Sequence, residues 1–406
     1  MDRTQSLSSQ QSAVDISLEP NNIDAVPEMM QQIKEEVEAL NTGDPRARQN
    51  LIIKARKMVL ALETPTETMI KHVWSQGGVL GAISYGVDSH LWKVMAKSGD
   101  RPQKVSELAE GLGLNENVLS RLLRHLSAMS YIEEVEEDTY KSNNFIKSLS
   151  LDKIGDSYLA MNSCTTHGQL KFHEFSRKQG WGTEPTDARR TSLMYAFNME
   201  KDMFSWQQEQ GYGTHFNNHM SGYRQGRPPW CGPNFFPVQE KLIDGFSSDP
   251  NAPILVDIGG SLGHDLVQFH KFHPDHPGTL ILQDLPTVIE QLKDLDGAIK
   301  PMPYSFLDEQ PVKDDVCAKI LKRIADAMEP GYSKILINEN VIPTRKAYWE
   351  TTALDIVMLA GFSSKERTDK DWHQLIEEKA GLKIVNIWEA KEAGHGVECL
   401  IEVGLA

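Results

Sequence analysis

The 406-residue sequence has few cysteines and no long hydrophobic run. No apolar stretch approaches the ~18–20 residues that cross a bilayer, so we expect no membrane span. The opening MDRTQSLSSQQSAVDISLEPNN is polar and lacks the apolar core of a secretory signal. Cys164, Cys231, Cys317 and Cys399 show no CxxC or metal-ligand spacing. This pattern predicts free thiols in a reducing, cytoplasmic compartment, and no metal site.

The charge balance lacks the basic surplus that is typical of a nucleic-acid-binding protein. Asp and Glu total 57 against 42 Lys and Arg, which gives a net charge of −15 at pH 7. Neutralising phosphates requires an excess of Lys and Arg on at least one face of a protein. We therefore expect neither nucleic acid nor a membrane as a partner.

The N-terminal part of the chain contains a polar stretch followed by helical patterns. Residues 1–24 are rich in Ser, Gln and Asn, which predicts a disordered tail. Apolar residues at helical spacing predict two helices within 26–63, separated by the breaker NTGDP. A third helix, TPTETMIKHVWSQGG, begins at a Thr-Pro pair and is expected to end at Gly77 and Gly78.

Residues 104–143 have the pattern of a winged helix, a shape that often reads DNA. Ser106 is a candidate cap of a first helix, and Asn115 is a candidate cap of a second helix. Val118, Leu122 and three further leucines are expected on the buried side of that helix, and YIEEVEEDTYKSN alternates like a hairpin. The acidic wing EEVEED would repel phosphate. We therefore predict a winged helix used for packing, with DNA binding as the disfavoured alternative.

The second half of the chain changes from helical to alternating patterns. Residues 151–245 predict a helical segment with aromatic clusters, which could line a pocket or bridge domains. From PILVDIGG onward strands and helices alternate, and the strands LKIVNIWEA and VECLIEVGLA end the chain as a hairpin. This alternation predicts an α/β domain with a mainly parallel sheet. The predicted segments are the tail 1–24, a helical domain 25–150, a linker and substrate-pocket segment 151–245, and the domain 246–406.

The stretch LVDIGGSLGHD joins an apolar strand to a helix through Gly259, Gly260 and Gly263. Glycines at the carboxyl end of a strand allow the backbone to approach a ligand closely. Asp284 ends the next strand, LILQD, where a carboxylate can accept hydrogen bonds from ribose hydroxyls. We therefore predict a nucleotide-like cofactor here. The alternative is that the glycines serve only a tight strand–helix turn.

The composition of this loop points to a particular class of cofactor. Asp257 precedes the glycines, and its carboxylate would repel a pyrophosphate. A negative charge suits the amino group and sulfonium of S-adenosylmethionine, and the terminal antiparallel strands fit a methyltransferase sheet better than a nicotinamide-binding one. The sequence therefore predicts S-adenosylmethionine as the cofactor.

The chain resembles the class I S-adenosylmethionine-dependent O-methyltransferases of the caffeate/flavonoid type, and most of all their fungal secondary-metabolite relatives. Nearly everything after residue 25 takes part, including HFNNHMSGYRQGRPPW, VDIGGSLGHD, LILQDLP, MEPGYSKILINENVIP, ALDIVMLA and SKERTDKDW. The resemblance implies a Rossmann-like methyltransferase sheet preceded by a mainly helical winged-helix dimerisation domain. It also implies a homodimer formed through the N-terminal helices.

The same resemblance assigns the cofactor site residue by residue. Gly259, Asp284 and Phe306 are expected to surround the cofactor, together with the rest of the glycine turn. The family commonly has an acidic residue beside that phenylalanine, and here the position is Ser305. One expected contact with the cofactor is therefore weakened.

Members of the family deprotonate the acceptor with a histidine that two acidic residues orient. A histidine suits a phenol, which must lose its proton as it attacks the methyl group. The orienting acids are present as Glu339 and Glu366. The histidine and the apolar strand before it are absent, because the chain passes directly from Lys313 to Asp314. Six other histidines are expected on solvated helical faces or in a turn: His264, His270, His273, His276, His373 and His395. Three in the linker region could approach a substrate and are alternative, disfavoured candidates for the base: His167, His215 and His219.

The absent strand has a structural consequence, because in the family it lies beside the first strand in the middle of the sheet. Its loss leaves two rows of backbone groups unpaired, each costing about 1–3 kcal/mol if it is buried without a partner. We expect one of two outcomes. Either the fifth strand shifts to pair with the first, or an in-frame loss such as a misplaced exon boundary has shortened a working sequence.

These observations predict an O-methyltransferase that acts on a phenolic or enolic small molecule in secondary metabolism. The alternative is a methyltransferase-like protein that does not methylate and that steers a pericyclic step or acts as a dimer partner. Candidate acceptor-pocket residues, each of which could instead be core packing, are Trp230, Phe235, Phe236, Asp355 and Met358.

Overall fold

The computed structural model describes residues 13–223, 226–247, 249, 251–290, 292–293, 295–304, 316–390 and 398–406. The predicted cofactor contacts Ser305 and Phe306 lie outside the described residues, as do His395 and the junction from Lys313 to Asp314. The chain divides into two compact units. The first comprises residues up to 225 and 356–365, and the second comprises 226–355 and 366–406. The domain boundaries predicted at 150 and 245 stay predictions.

The first unit is mainly helical. Its long N-terminal helices follow the predicted apolar periodicity, and α2 and α3 are separated at NTGDP as expected. The helices are α1 Ala13–Leu18, α2 Val26–Asn41, α3 Ala47–Leu62, α4 Pro65–Ile70, α5 Gln76–Asp88, α6 Leu91–Lys97, α7 Val105–Leu112, α8 Glu116–Ala128, α9 Asn144–Ser148, α10 Asp152–Asn162, α11 Thr165–Gln179, α12 Ser192–Phe197, α13 Met203–Glu209 and α14 Gly213–Tyr223. A short 3₁₀ helix occupies Ile23–Ala25, and a π-helical turn occupies Lys71–Ser75.

The polar N-terminal stretch is more ordered than its composition predicts. From residue 13 onward it contains α1, and the Asn21 side chain donates hydrogen bonds to the carbonyls of Leu60 and Glu63. Residues 1–12 lie outside the described part of the chain. Attachment to the end of α3 explains the order of residues 19–25.

The glycine pair at Gly77 and Gly78 does not end the third helix, so that prediction was wrong. Helix α5 continues to Asp88. A Cβ atom at Gly78 would lie 2.7 Å from Nε2 of His125, and this ring nitrogen lies 2.9 Å from the carbonyl oxygen of Ser75. The glycine is therefore needed for the close approach of α8, which local sequence does not reveal.

Over 104–143 the structure has the elements that the winged-helix interpretation needs. Helices α7 and α8 are followed by strands β2 Glu133–Glu136 and β3 Thr139–Lys141, with β1 Gln103–Lys104 on the other side of β3. Asn115 caps α8 by accepting a 3.0 Å hydrogen bond from the backbone N–H of Val118. Two details were wrong. Lys104, not Ser106, is at the cap position of α7, and Val118 is exposed.

The second unit contains the alternating strands and helices. Its strands are β4 Pro253–Ile258, β5 Thr279–Asp284, β6 Ile299–Pro303, β7 Ile335–Glu339, β8 Leu382–Glu389 and β9 Cys399–Leu405. Its helices are α15 His264–Phe272, α16 Pro286–Ile289, α17 Val316–Asp326, α18 Trp349–Phe362, whose last residues belong to the first unit, and α19 Asp369–His373. Two π-helical turns occupy Gln239–Ile243 and Gln374–Lys379.

These strands form two three-stranded sheets instead of one. Strands β4, β5 and β6 are parallel in that order, and β7, β9 and β8 are antiparallel in that order. Among the described strands, β4 pairs only with β5, and β7 pairs only with β9. The fifth strand of the family, β7, has therefore not moved to pair with the first. The interruption falls where the resemblance places the absent strand.

The two sheets share one hydrophobic core. Leu280 and Leu282 of β5 pack in the same cluster as Leu400 of β9, with Phe269 of α15 fully buried among them. The apolar strand β4 is less protected, and Val256 is 36% exposed. Within the described residues, no helix combines the length and the apolar character needed to cross a bilayer.

Candidate active site

The turn after β4 is shaped by glycine conformations. Gly259 has φ of 74° and Gly263 has φ of 80°, both in the left-handed region that favours glycine. The backbone N–H groups of Gly259 and Gly260 donate to the carbonyl of Gln283 at 2.8 and 3.2 Å. These bonds fasten the turn to the end of β5. Gly263 then forms the N-cap of α15.

Asp284, at the end of β5, is tied to the same turn. Its Oδ2 accepts a 2.7 Å hydrogen bond from the backbone N–H of Ser261, and its Oδ1 accepts one of 2.7 Å from the N–H of Leu285. Each carboxylate oxygen has a second lone pair, so the group retains capacity for ribose hydroxyls. Leu262 and Leu285, beside it, expose 45% and 44% of their surface. The turn therefore presents an oriented carboxylate next to apolar surface.

Gly260 has no room for a side chain. A Cβ atom there would lie 2.4 Å from Oδ2 of Asp257 and 2.5 Å from Cδ1 of Leu282. The carboxylate of Asp257 thus packs directly against the turn. This arrangement suits a cofactor that carries positive charge, because a carboxylate below the turn stabilises a cation and repels a pyrophosphate. The residues present fit S-adenosylmethionine.

The predicted orienting acids, Glu339 and Glu366, lie together at the end of β7. Surrounding protein desolvates the carboxyl group of Glu339 and raises its pKa to about 7, and the carboxylates of Glu366 and Glu398 add to the increase while Arg367 opposes it. Burial likewise raises the pKa of Glu366, and the Asp355 carboxylate contributes. Glu339 as a whole residue remains exposed, so solvent screens the repulsion between the two groups.

Glu366 is held from two sides. Asn340, which is buried, donates from Nδ2 to Oε2 of Glu366 at 3.2 Å. The backbone N–H of Glu366 donates to Oδ1 of Asp355 at 2.8 Å. The guanidinium of Arg367 lies 5.2 Å from the ring centre of Trp372, whose Nε1 donates to the carbonyl of Asn340. The side chain and backbone of Glu366 are therefore both held by neighbouring residues.

Asn340 and Arg367 were missed by reasoning from the sequence. Both are immediate neighbours of the predicted acids, in the stretches NEN and KERT. Attention to the residues that flank a predicted acid would have found them.

The aromatic residues predicted for the acceptor pocket are placed in the core. Trp230, Phe235 and Phe236 are each less than 10% exposed and belong to the cluster around Phe269. The Trp230 ring stacks on Phe269 at 5.9 Å, and Phe236 meets Trp388 edge to face at 5.5 Å. These contacts are those of packing side chains, and a role in binding the acceptor stays a prediction.

The two remaining pocket candidates lie on α18. Asp355 is engaged with the backbone of Glu366, as described above, and is half-buried. Met358 is also half-buried, and its carbonyl accepts a 3.2 Å hydrogen bond from the N–H of Ser364. Asp355 thus supports the carboxyl pair, and its contact with an acceptor stays a prediction.

The histidines of the second unit that the structure describes have other partners or lie in solvent. Nδ1 of His270 and Nε2 of His276 are 3.1 Å apart, and Nε2 of His273 is 2.9 Å from the carbonyl oxygen of Cys231. His373 is 2.9 Å from Glu377, a hydrogen bond that raises the pKa of this exposed histidine. His264, at the start of α15, is exposed.

In the first unit, Nδ1 of His219 lies 3.1 Å from Oγ of Ser157, and burial lowers the pKa of the imidazole. The ring centres of His167 and Phe197 are 5.1 Å apart, and those of His215 and Tyr212 are 5.8 Å apart. These three histidines are therefore held among helices of the first unit.

Comparison with known proteins agrees with this fold. Residues 311–383 match the model of a family described as the O-methyltransferase domain. The O-methyltransferase penC of Penicillium thymicola is 30% identical over 373 residues, covering 87% of this chain and 91% of that protein. A solved structure titled a pericyclic reaction enzyme superimposes with a TM-score of 0.81 at 25% identity, covering 95% of this chain and all of that one. LepI in complex with S-adenosylmethionine gives a TM-score of 0.80 at 26% identity, covering 94% and 100%.

Proposed function

The chain belongs to the S-adenosylmethionine-dependent O-methyltransferases of fungal secondary metabolism, and from that premise we propose that it methylates a phenolic or enolic hydroxyl of a small molecule. One observation carries the proposal. The Asp284 carboxylate is hydrogen-bonded to the glycine turn through the Ser261 N–H. The turn thereby orients a carboxylate that can accept hydrogen bonds from ribose hydroxyls, and such an arrangement is suited to a nucleoside cofactor.

When bound, the cofactor supplies a methyl group on a sulfonium centre. We assign to Asp284 the binding of the ribose hydroxyls of the cofactor. We assign to the turn with Gly259, Gly260 and Gly263 the close contact between backbone and cofactor. We assign to the Asp257 carboxylate the stabilisation of the positive charge of the cofactor. Ser305 and Phe306 remain predicted contacts. The acceptor is assigned to the side of the carboxyl pair Glu339 and Glu366, where a proton can be received.

A second candidate function is a cofactor-binding protein that does not transfer methyl groups. Two observations favour it. The catalytic histidine expected after the fourth strand is absent from the sequence, and one of the similar structures is titled a pericyclic reaction enzyme. In that case the cofactor site would be retained while the protein steers a pericyclic or dehydration step.

We also propose that the protein forms a homodimer through its N-terminal helices. Large apolar side chains are exposed along α2–α5, including Trp74 at 72%, Val73 at 61% and Met69 at 51%. Contiguous apolar surface on a folded unit is typical of an interaction site. The partner assigned here is a second copy of the chain, as the family resemblance implies.

The function is tested with the full chain in two steps. Calorimetric titration with S-adenosylhomocysteine measures cofactor binding, and incubation with methyl-labelled S-adenosylmethionine and a panel of phenols measures transfer. Binding with transfer supports the O-methyltransferase. Binding without transfer to any phenol supports the non-methylating alternative. Folded protein that gives no heat with S-adenosylhomocysteine would remove the basis of both.

A further inference from the structure

The hairpin of helices α2 and α3, both of which lie wholly within the described residues, has little core of its own. No residue of α2 is buried, and in α3 only Ala47 and Ala61 are buried. A cleft of about 310 Å³, lined by Met29 of α2 and Ile53 of α3, remains between the helices. Neither helix contributes a described side chain to the hydrophobic clusters of the first unit. Helices of this length obtain most of their stability from tertiary packing, so this hairpin needs a further surface to pack on.

Both helices present an apolar stripe to solvent. On α2, Met30 and Val37 lie two turns apart and Leu40 lies one turn further, and all three are exposed. On α3, Ile52 and Val59 are exposed with the same two-turn spacing. Side chains at this spacing share one face of a helix. An exposed apolar face of this kind is typical of a surface that a partner covers.

The two helices carry opposite charges. Helix α2 has four acids and one lysine, which are Glu28, Glu35, Glu36, Glu38 and Lys34. Helix α3 has four basic residues and no acid, and these are Arg48, Lys54, Arg56 and Lys57. Glu36 and Lys54 form an ion pair of 2.5 Å inside the hairpin, whereas Glu35, Glu38, Arg48 and Arg56 are exposed. The hairpin therefore has an acidic edge beside a basic edge, which is self-complementary when a second copy is related by a two-fold axis.

We propose that the hairpins of two copies of the chain pack on each other, so that α2 of each copy lies against α3 of its partner. This inference rests on the homodimer proposed above and specifies which helices pair in it. Because the symmetry is two-fold, the contact between the acidic and the basic helix occurs twice. Pairing α2 with α2 and α3 with α3 would bring like charges together, which is unfavourable.

The first residues of the chain are a poor cover for these stripes. Residues 1–12, MDRTQSLSSQQS, contain Leu7 as their only large apolar side chain apart from Met1. Two apolar stripes flanked by opposite charges require a partner with the same two features, and the hairpin of a second copy has both.

The test reverses charges in the full chain and measures the dimer Kd by analytical ultracentrifugation. The first variant carries Glu35→Lys and Glu38→Lys, the second carries Arg48→Glu and Arg56→Glu, and the third carries all four changes. Each of the first two should raise the Kd about tenfold or more, because attraction becomes repulsion at two symmetric contacts. The third variant restores opposite charges on the two helices, so its Kd should return to near the wild-type value.

Two controls accompany these variants. Glu110→Lys combined with Glu184→Lys reverses two exposed acids outside the hairpin and should leave the Kd unchanged. Far-UV circular dichroism shows whether each variant keeps its helices. The wild-type protein adds a measurement that needs no variant. Because about 0.5 M NaCl shortens the Debye length to a few ångström, the wild-type Kd should rise several-fold above its value at low salt.

Three results would overturn the pairing. These are a Kd that neither reversal changes, a four-charge variant that dimerises as weakly as the two-charge variants, and a wild-type Kd that salt does not raise. Each would show that the acidic α2 does not face the basic α3 of the partner, and the homodimer itself would survive. A wild-type protein that is monomeric at micromolar concentration would overturn both. None of these measurements depends on methyl transfer.

Discussion

The backbone N–H of Ser261 donates a 2.7 Å hydrogen bond to Oδ2 of Asp284, which joins the glycine turn to the end of the neighbouring strand. Asp284→Asn replaces a charged acceptor by a neutral amide. Hydrogen bonds to charged groups contribute about 1.5–3 kcal/mol, so we expect the Kd for S-adenosylhomocysteine to rise about ten- to a hundredfold. Calorimetric titration measures the change. Asp275→Asn, an exposed position in the same unit, is the matched control, and equal affinities in the two variants would contradict the assignment.

A second prediction concerns the space around Gly260. Gly260→Ala places a Cβ atom against Oδ2 of Asp257 and Cδ1 of Leu282, so the turn must shift. We expect weaker binding of S-adenosylhomocysteine and a loss of about 1–3 kcal/mol in the free energy of unfolding. Gly297→Ala is the control, because a Cβ atom there meets no atom within 4 Å. Thermal unfolding and calorimetry on both variants measure the difference. A Gly260→Ala protein that equals Gly297→Ala in both would show that the turn is not tightly packed.

The glycine turn after β4 was predictable from the sequence because local residues determine it. A glycine-rich junction follows an apolar strand, and an acid ends the next strand. Both features were found where they were predicted, and the Ser261–Asp284 bond joins them. The alternation of strands and helices and the terminal hairpin of β8 and β9 are confirmed, and they were predictable because they too follow from local sequence patterns.

Features that depend on tertiary contacts were not predictable. Gly77 and Gly78 look like a helix end, but Gly78 serves the close approach of His125. The composition around Trp230, Phe235 and Phe236 fits a pocket or a core equally well, and only packing against Phe269 distinguishes the two. The interruption of the sheet was expected from the missing strand. That β4 and β7 would remain in separate sheets could not be deduced, since it depends on which pairing is geometrically accessible.

The proposed dimer gives a third prediction. Trp74 exposes 72% of its surface on the N-terminal helices, and burying it in an interface would be strongly favourable. Trp74→Glu should therefore shift the protein from dimer to monomer in light scattering coupled to size-exclusion chromatography. Trp181→Glu is the control, because Trp181 is similarly exposed at 69% but lies outside α2–α5. A wild-type protein that is monomeric at micromolar concentration would refute the proposed dimer.

The raised pKa of Glu339 gives a fourth prediction, on the pH dependence of stability. The folded protein holds the Glu339 proton up to about pH 7, whereas the unfolded chain releases it near the ordinary value of 4.5. Between these values the folded state binds more protons, so the free energy of unfolding falls as the pH rises. Glu366, whose pKa is also raised, acts in the same direction. Urea denaturation between pH 4.5 and 7 should show a shallower decline in Glu339→Gln than in the wild type. An identical decline in both would mean that Glu339 titrates normally.

The fifth prediction concerns Glu402, a carboxylate on β9 that is 2% exposed. Its Oε2 accepts a 3.1 Å hydrogen bond from Nε1 of Trp388, and its Oε1 lies 3.4 Å from Nζ of Lys334 and 3.8 Å from Nζ of Lys241. Glu402→Ala leaves two half-buried ammonium groups without this counterion and the indole N–H without its acceptor. Breaking a buried ion pair costs about 3–5 kcal/mol.

We expect a loss of that size in urea denaturation of Glu402→Ala. Glu378→Ala, at an exposed position, should change the free energy of unfolding by less than about 0.5 kcal/mol. The double variant Lys334→Met with Glu402→Leu should recover part of the loss, because an apolar pair removes the charge together with its counterion. If Glu402→Ala were as stable as Glu378→Ala, the carboxylate would not hold β8 and β9 together, and their pairing would depend on the backbone ladder and the apolar core alone.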